Sequence, residues 1–150
     1  MSDESRDPRL FNLTEAERTR AEVEPFLIEA IELGRKLGEV DARLRAAAQR
    51  IAMLGGALVV REPLEKLRAE HERLSEVIRT ALERIESTGC VVKDLDVGLL
   101  DFPAVINDED VYLCWRLGED RIRFYHRQDE GFSGRKPLDP RDPGPAPPIH

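Results

Sequence analysis

The stretch FLIEAIELGRKLGEVDARLRAAAQRIAML (residues 26–54) decides the architecture. Its apolar residues Phe26, Ala30, Leu33, Leu37, Val40, Leu44, Ala47, Ile51 and Leu54 recur at alternating steps of four and three. That is the heptad rhythm that keeps one helical seam facing a partner. The partner lies just downstream, where Leu64, Leu67, His71, Leu74, Ile78, Ala81 and Ile85 repeat the rhythm. Between them, Gly55-Gly56 offers the left-handed backbone that ends a helix, and Pro63 suits the first turn of the next. The reading is a long antiparallel helical hairpin, coiled-coil-like, over about residues 14–87. At its tip, Leu58, Val59 and Val60 either fold back over the end of the seam or dock a second chain. Folding back about residue 59 places His71 near Ala46-Ala47-Ala48, where a bulky ring packs over small neighbours.

Working toward the N-terminus, Thr14 and Glu17 fit the capping-box pattern at the start of a helix. Pro25 then predicts a kink, or a short helix 14–23 followed by a long one, because it deletes a backbone donor. Phe11 and Leu13 alternate with polar residues, so this segment is expected to add a short strand to a sheet elsewhere. Residues 1–9 are charged and expected to fray.

After Ser87-Thr88-Gly89 the apolar period changes to two, and a small antiparallel β head is expected over about 90–135. Six of the eight aromatic residues lie here: Phe102, Tyr112, Trp115, Phe124, Tyr125 and Phe132. They mark a second core at the root of the hairpin. Cys90 to Val92 reads as a strand, and Leu99 to Val105 as a strand interrupted at Pro103. Asn107 to Asp110 reads as a loop. Val111–Leu117 and Ile122–Arg127 read as a β-hairpin closed around Gly118-Glu119-Asp120. With Glu119-Asp120 central, Leu117 faces Ile122, Trp115 faces Phe124 and Leu113 faces His126 on an apolar side; Cys114 faces Tyr125 and Arg116 faces Arg123 on the other. The whole is an α+β fold, a single domain over 1–135, with prolines from 137 onward forming a disordered, extended tail over 136–150.

Two arginines placed opposite each other repel unless a carboxylate or anion lies between them. Three readings are open: Asp94, Asp96 or Asp101 supplies that charge; Arg116 and Arg123, joined by Arg135 from the glycine-flanked Phe132-Ser133 loop, bind a small anion; or the true register separates the two arginines. In the anion-binding case His126, Asp94, Asp96 and Asp101 are the candidate acid–base groups. His126 otherwise reads as a packing residue. The sequence contains no CxxC, HExxH, Walker, GxGxxG or GxSxG pattern. A metal site would require Cys90, Cys114, His71 and His126 to meet by folding alone. Cys114 and His126 could also form a nucleophile–base pair, but the expected hairpin register puts them on opposite faces. No metal and no cofactor is therefore expected.

The composition narrows the classes. A net charge of −7 argues against nonspecific nucleic-acid binding. No apolar run approaches the roughly 18–20 residues of a membrane span, and the polar start lacks a signal peptide's pattern. Two cysteines without an export signal suit reduced thiols in a cytoplasm.

Val92-Lys93-Asp94-Leu95-Asp96, Gly98-Leu99-Leu100-Asp101-Phe102-Pro103, Leu113-Cys114-Trp115-Arg116-Leu117-Gly118-Glu119, His126 and Gly131-Phe132-Ser133-Gly134-Arg135, with Phe11 and Glu15-Ala16, resemble an uncharacterised prokaryotic family, domain of unknown function 2203. The resemblance spans about residues 10–138. It implies a small soluble prokaryotic protein whose polar motif residues gather in the head. Two functions follow from the residues. The leading one is a non-catalytic module that homodimerises, or docks a protein partner at the hairpin tip, with the head as a recognition surface. The other is a binding protein or enzyme for a small anionic compound.

Overall fold

The structure is a computed structural model describing residues 9–54, 61–139 and 141. The charged N-terminus, the Gly55-Gly56 stop, the Leu58–Val60 tip and the prolines from 140 onward lie outside the described residues. Helix α1 runs over Leu13–Met53 and α2 over Arg61–Glu86, followed by strands β1 (Val91–Asp94), β2 (Leu99–Ile106), β3 (Glu109–Arg116), β4 (Phe124–Arg127) and β5 (Lys136–Pro137). The strands form one antiparallel meander in the order β1-β2-β3-β4-β5. The fold is α+β: a long helical hairpin with a five-stranded sheet at its root.

Asn12, rather than Thr14, starts α1. Its side chain accepts from Glu15 N at 2.7 Å, and Glu15 Oε1 accepts from Asn12 N at 3.0 Å, so two otherwise orphaned donors are satisfied. Glu17 is drawn elsewhere, accepting the Ile122 backbone N–H of the head at 2.6 Å. Nor does Pro25 split the helix: α1 continues through it for 41 residues, about 60 Å at ~1.5 Å each. Ala21, whose carbonyl loses its donor to the proline, and Pro25 itself are both exposed, so water can serve that carbonyl. The expected N-terminal strand is a single contact, Phe11 N to Pro103 O at 2.7 Å.

The seam forms as the heptads require. Ala30, Val40, Leu74, Ala81 and Ile85 are buried. His71 departs from expectation: its Nε2 lies 3.0 Å from Asp41 Oδ1 on the facing helix. A polar partner, not the alanine run, sits across from it. A second stripe on α1, Ala16, Thr19, Val23 and Leu27, is also buried. It shares a core with Ile85, Cys90, Leu100, Phe102, Ala104, Val111, Leu113, Trp115 and Ile122. Phe11 closes this core, edge-on to Phe102 at 5.3 Å.

Two register findings place the head's chemistry. First, β2 is continuous through Pro103. Pairing runs from Leu99↔Arg116 to Ile106↔Glu109, and Pro103's missing donor faces the β1 side beyond the end of that short strand, where no ladder demands it. The connection is a two-residue turn, Asn107 (φ 52°) and Asp108 (φ 64°), of the kind whose twist matches a hairpin. Second, β3 and β4 pair as Val111↔Arg127, Tyr112↔His126, Leu113↔Tyr125 and Cys114↔Phe124. That is one residue away from the expected register, and such a slip exchanges the faces of every side chain on β4. Segment 117–123 is a wide connection, held by Glu119 N to Arg116 O at 3.0 Å and Trp115 Nε1 to Glu119 O at 3.1 Å. Lys136–Pro137, expected in the tail, pairs with β4 instead, and Leu138 packs against the core.

Candidate functional site

Both faces of the central strands are covered, so Val111, Leu113, Cys114 and Trp115 are all buried. The helices cover the face carrying Leu113 and Trp115. On the opposite face stand Asp101, Cys114 and His126. Asp101 lies directly across from Cys114. Counted back from the two-residue turn, theirs is a non-hydrogen-bonded pair, the type in which facing side chains approach most closely. His126 is one pair further along, opposite Tyr112, whose ring centroid lies 5.5 Å away.

The side chains meet out of water. Relative exposures are 0% for Asp101, 0% for Cys114 and 2% for His126. His126 Nδ1 lies 2.7 Å from Arg127 O and Nε2 lies 3.1 Å from Asp101 Oδ2. A carbonyl can only accept, so Nδ1 carries a proton. Nε2 and Oδ2 would then oppose lone pairs unless a proton or a cation lies between them. The other carboxylate oxygen, Asp101 Oδ1, is buried without a hydrogen-bond partner; the nearby Cys114 thiol is a weak donor. Burial raises the Asp101 pKa, opposed by the charge and hydrogen bond of His126. Burial, reinforced by Asp101's charge, pushes the Cys114 thiol up to about 12. Ligand atoms of the three residues all lie within 4.8 Å of one another, a spacing that can hold a metal ion.

Over this face lies the loop ending at Arg135. Its guanidinium forks onto Glu119, at 3.1 Å to Oε1 and 2.8 Å to Oε2, and lies 4.1 Å from the ring centroids of Phe124 and Phe132. Nη1 also comes within 4.0 Å of Cys114 Sγ. Burial alone would lower the Arg135 pKa, but the hydrogen bonds and charge of Glu119 outweigh it and raise it.

The predicted arginines therefore divide. Arg116 approaches Phe132, 5.9 Å from its ring, beside the Arg135 fork. Arg123 forks onto Asp120 at 3.0 and 2.9 Å and does not face Arg116. Carboxylates do offset Arg135 and Arg123, but they are Glu119 and Asp120. Asp94 at the end of β1 and Asp96 in the turn after it are exposed, and Asp94 Oδ1 accepts Asp96 N at 3.0 Å. Of the predicted aspartates, only Asp101 meets His126.

His126 lies on the polar face, and Cys114 shares it. The mistaken register had separated them. Glu119 was missed altogether, since its role depends on Arg135, 16 residues away. The Asn107-Asp108 turn held the signal for one pairing: counting outward from it places Asp101 opposite Cys114.

The chain belongs to the family described as an uncharacterized conserved protein, DUF2203, which matches residues 9–138. No curated protein and no solved structure matches it. Among the described residues, no helix is long and apolar enough to cross a membrane.

Proposed function

We propose that this member of the family is a non-catalytic association module that pairs with a second copy through the outer arm of its helical hairpin. One observation carries the reading: the arm's apolar seam is incompletely covered by its own two helices. Among the described residues, the core shared with the sheet takes nothing from α1 beyond Ile31. In the arm beyond Gly34, Val40 and Leu74 are buried, whereas Leu37, Leu44, Ala47, Ile51, Leu64 and Leu67 keep part of their surface exposed. Met53 and Leu54 at its end are 81% and 52% exposed.

Two helices bury little by themselves, and a second hairpin laid along the same seam makes a four-helix arrangement with a complete core. The outer faces favour water. Arg35–Glu32, Arg73–Glu70 and Arg79 with Glu76 and Glu83 are ion pairs within single helices, leaving the seam margins as the apolar surface for a partner.

Sedimentation equilibrium at micromolar concentration is expected to give twice the 17.1 kDa chain mass. Met53→Glu with Leu54→Glu, positions largely outside the intrachain packing, should shift the chain toward monomer without loss of helix. A single-chain mass for the unaltered protein across the micromolar range defeats the proposal.

A further inference from the structure

We propose that Asp101, Cys114 and His126 bind a divalent transition-metal ion of the zinc class, held beneath the Arg135 loop. The donor set is one carboxylate, one thiolate and one imidazole, types that zinc and cobalt(II) accept together. Tetrahedral bonds of about 2.0–2.3 Å put ligand atoms roughly 3.3–3.6 Å apart. The Nε2–Oδ2 edge, at 3.1 Å, is already close to that spacing, and the whole set lies within 4.8 Å. Closing the site requires the longest edge to shorten by up to about 1.2–1.5 Å.

Three further features favour a cation over a nucleophile–base pair. His126 Nδ1–H is committed to the Arg127 carbonyl, the contact that orients a ligating imidazole and presents Nε2. Nε2 is directed at Asp101 Oδ2. The two atoms face each other across 3.1 Å with opposed lone pairs, a contact that an ion between them relieves. Charge closes as well. Asp101 and thiolate Cys114 together neutralise a divalent ion, while Arg135, 4.0 Å from Sγ, is balanced by Glu119. Binding releases the thiol proton to solvent. Among the described residues the ligand group has three members, which leaves a coordination position for water or a small ligand.

The test is a cobalt(II) titration of the chelator-treated full chain. One equivalent per chain should bind, with a near-ultraviolet thiolate-to-cobalt charge-transfer band. Cys114→Ser should lose that band and Cys90→Ser should keep it. His126→Gln should weaken binding by at least about 100-fold, beyond the 10–100-fold typical of removing a supporting contact. Zinc in excess should raise the melting midpoint by roughly 5–10 °C. Because Cys114→Ser could unfold the head, X-ray absorption on the zinc-loaded unaltered chain provides a second readout, with one sulfur expected among lighter ligands. No binding at micromolar cobalt, a charge-transfer band that survives in folded Cys114→Ser, or a zinc shell without sulfur each overturns the proposal.

Discussion

Replacing Arg135 by alanine should cost about 3–4 kcal/mol and expose Cys114. The arginine and Glu119 are 13% and 12% exposed, and two hydrogen bonds of 3.1 and 2.8 Å join them. Stranding one member of a buried pair typically costs about 3–5 kcal/mol. Glu119 keeps one donor, Arg116 N at 2.8 Å, which favours the lower end of that range. Losing the contacts with Phe124 and Phe132 adds roughly 0.5–1 kcal/mol. Near 150 residues, the sum lowers the melting midpoint by about 10 °C. Urea unfolding of Arg135→Ala, Glu119→Gln and the double variant isolates the pair, and we expect a coupling of about 2 kcal/mol. Alkylation followed by peptide mapping reads the cover separately. In the unaltered chain Cys114 should react only on global unfolding. Removing a positive charge raises the thiol pKa further, so faster labelling in Arg135→Ala reports access and not a richer thiolate population. A coupling below ~0.5 kcal/mol, typical of surface pairs, together with unchanged labelling, would refute the role of Arg135 as a seal.

Gly98 has φ +70°, and a Cβ there would sit 2.6 Å from Leu117 Cβ. Gly98→Ala should therefore cost about 2–4 kcal/mol, from left-handed strain and overpacking together; a urea-derived loss under ~1 kcal/mol contradicts the close approach. At Asn107, with φ 52°, valine should destabilise by about 1–2 kcal/mol while glycine stays within ~0.5 kcal/mol. Equal effects of the two in chemical denaturation would mean that the turn does not demand positive φ.

Helical features were legible because their signals are local and redundant. Sixteen seam positions repeat one rhythm, so a single exception, His71 meeting Asp41, leaves the pairing intact. Competing local signals were harder. Asn12-Glu15 and Thr14-Glu17 are both plausible capping boxes, and the choice between them shows only once Ile122 claims Glu17. Pro103 reads as a strand break until one sees that its edge lies past the end of β1. Near the C-terminus, proline density hid the short pairing of Lys136–Pro137 with β4.

The slip between β3 and β4 had the largest consequence, and its cause is physical. Alternation reveals register only when one face of a strand is wet. On β3 it fails, because Leu113, Cys114 and Trp115 are buried in succession, with helices on one side and the Arg135 loop on the other. What remains is turn chemistry, and Gly118-Glu119-Asp120 suggests a tight hairpin. Glu119 instead turns inward to accept Arg116 N and the Arg135 fork, so the connection widens through residue 123. An ion pair formed across 16 residues thus sets which face His126 occupies. Glu119→Gln should therefore loosen the buried cluster, although Glu119 contributes no atom to it, and the readout is faster alkylation of Cys114 under native conditions; labelling as slow as in the unaltered chain would break the link between the pair and the register.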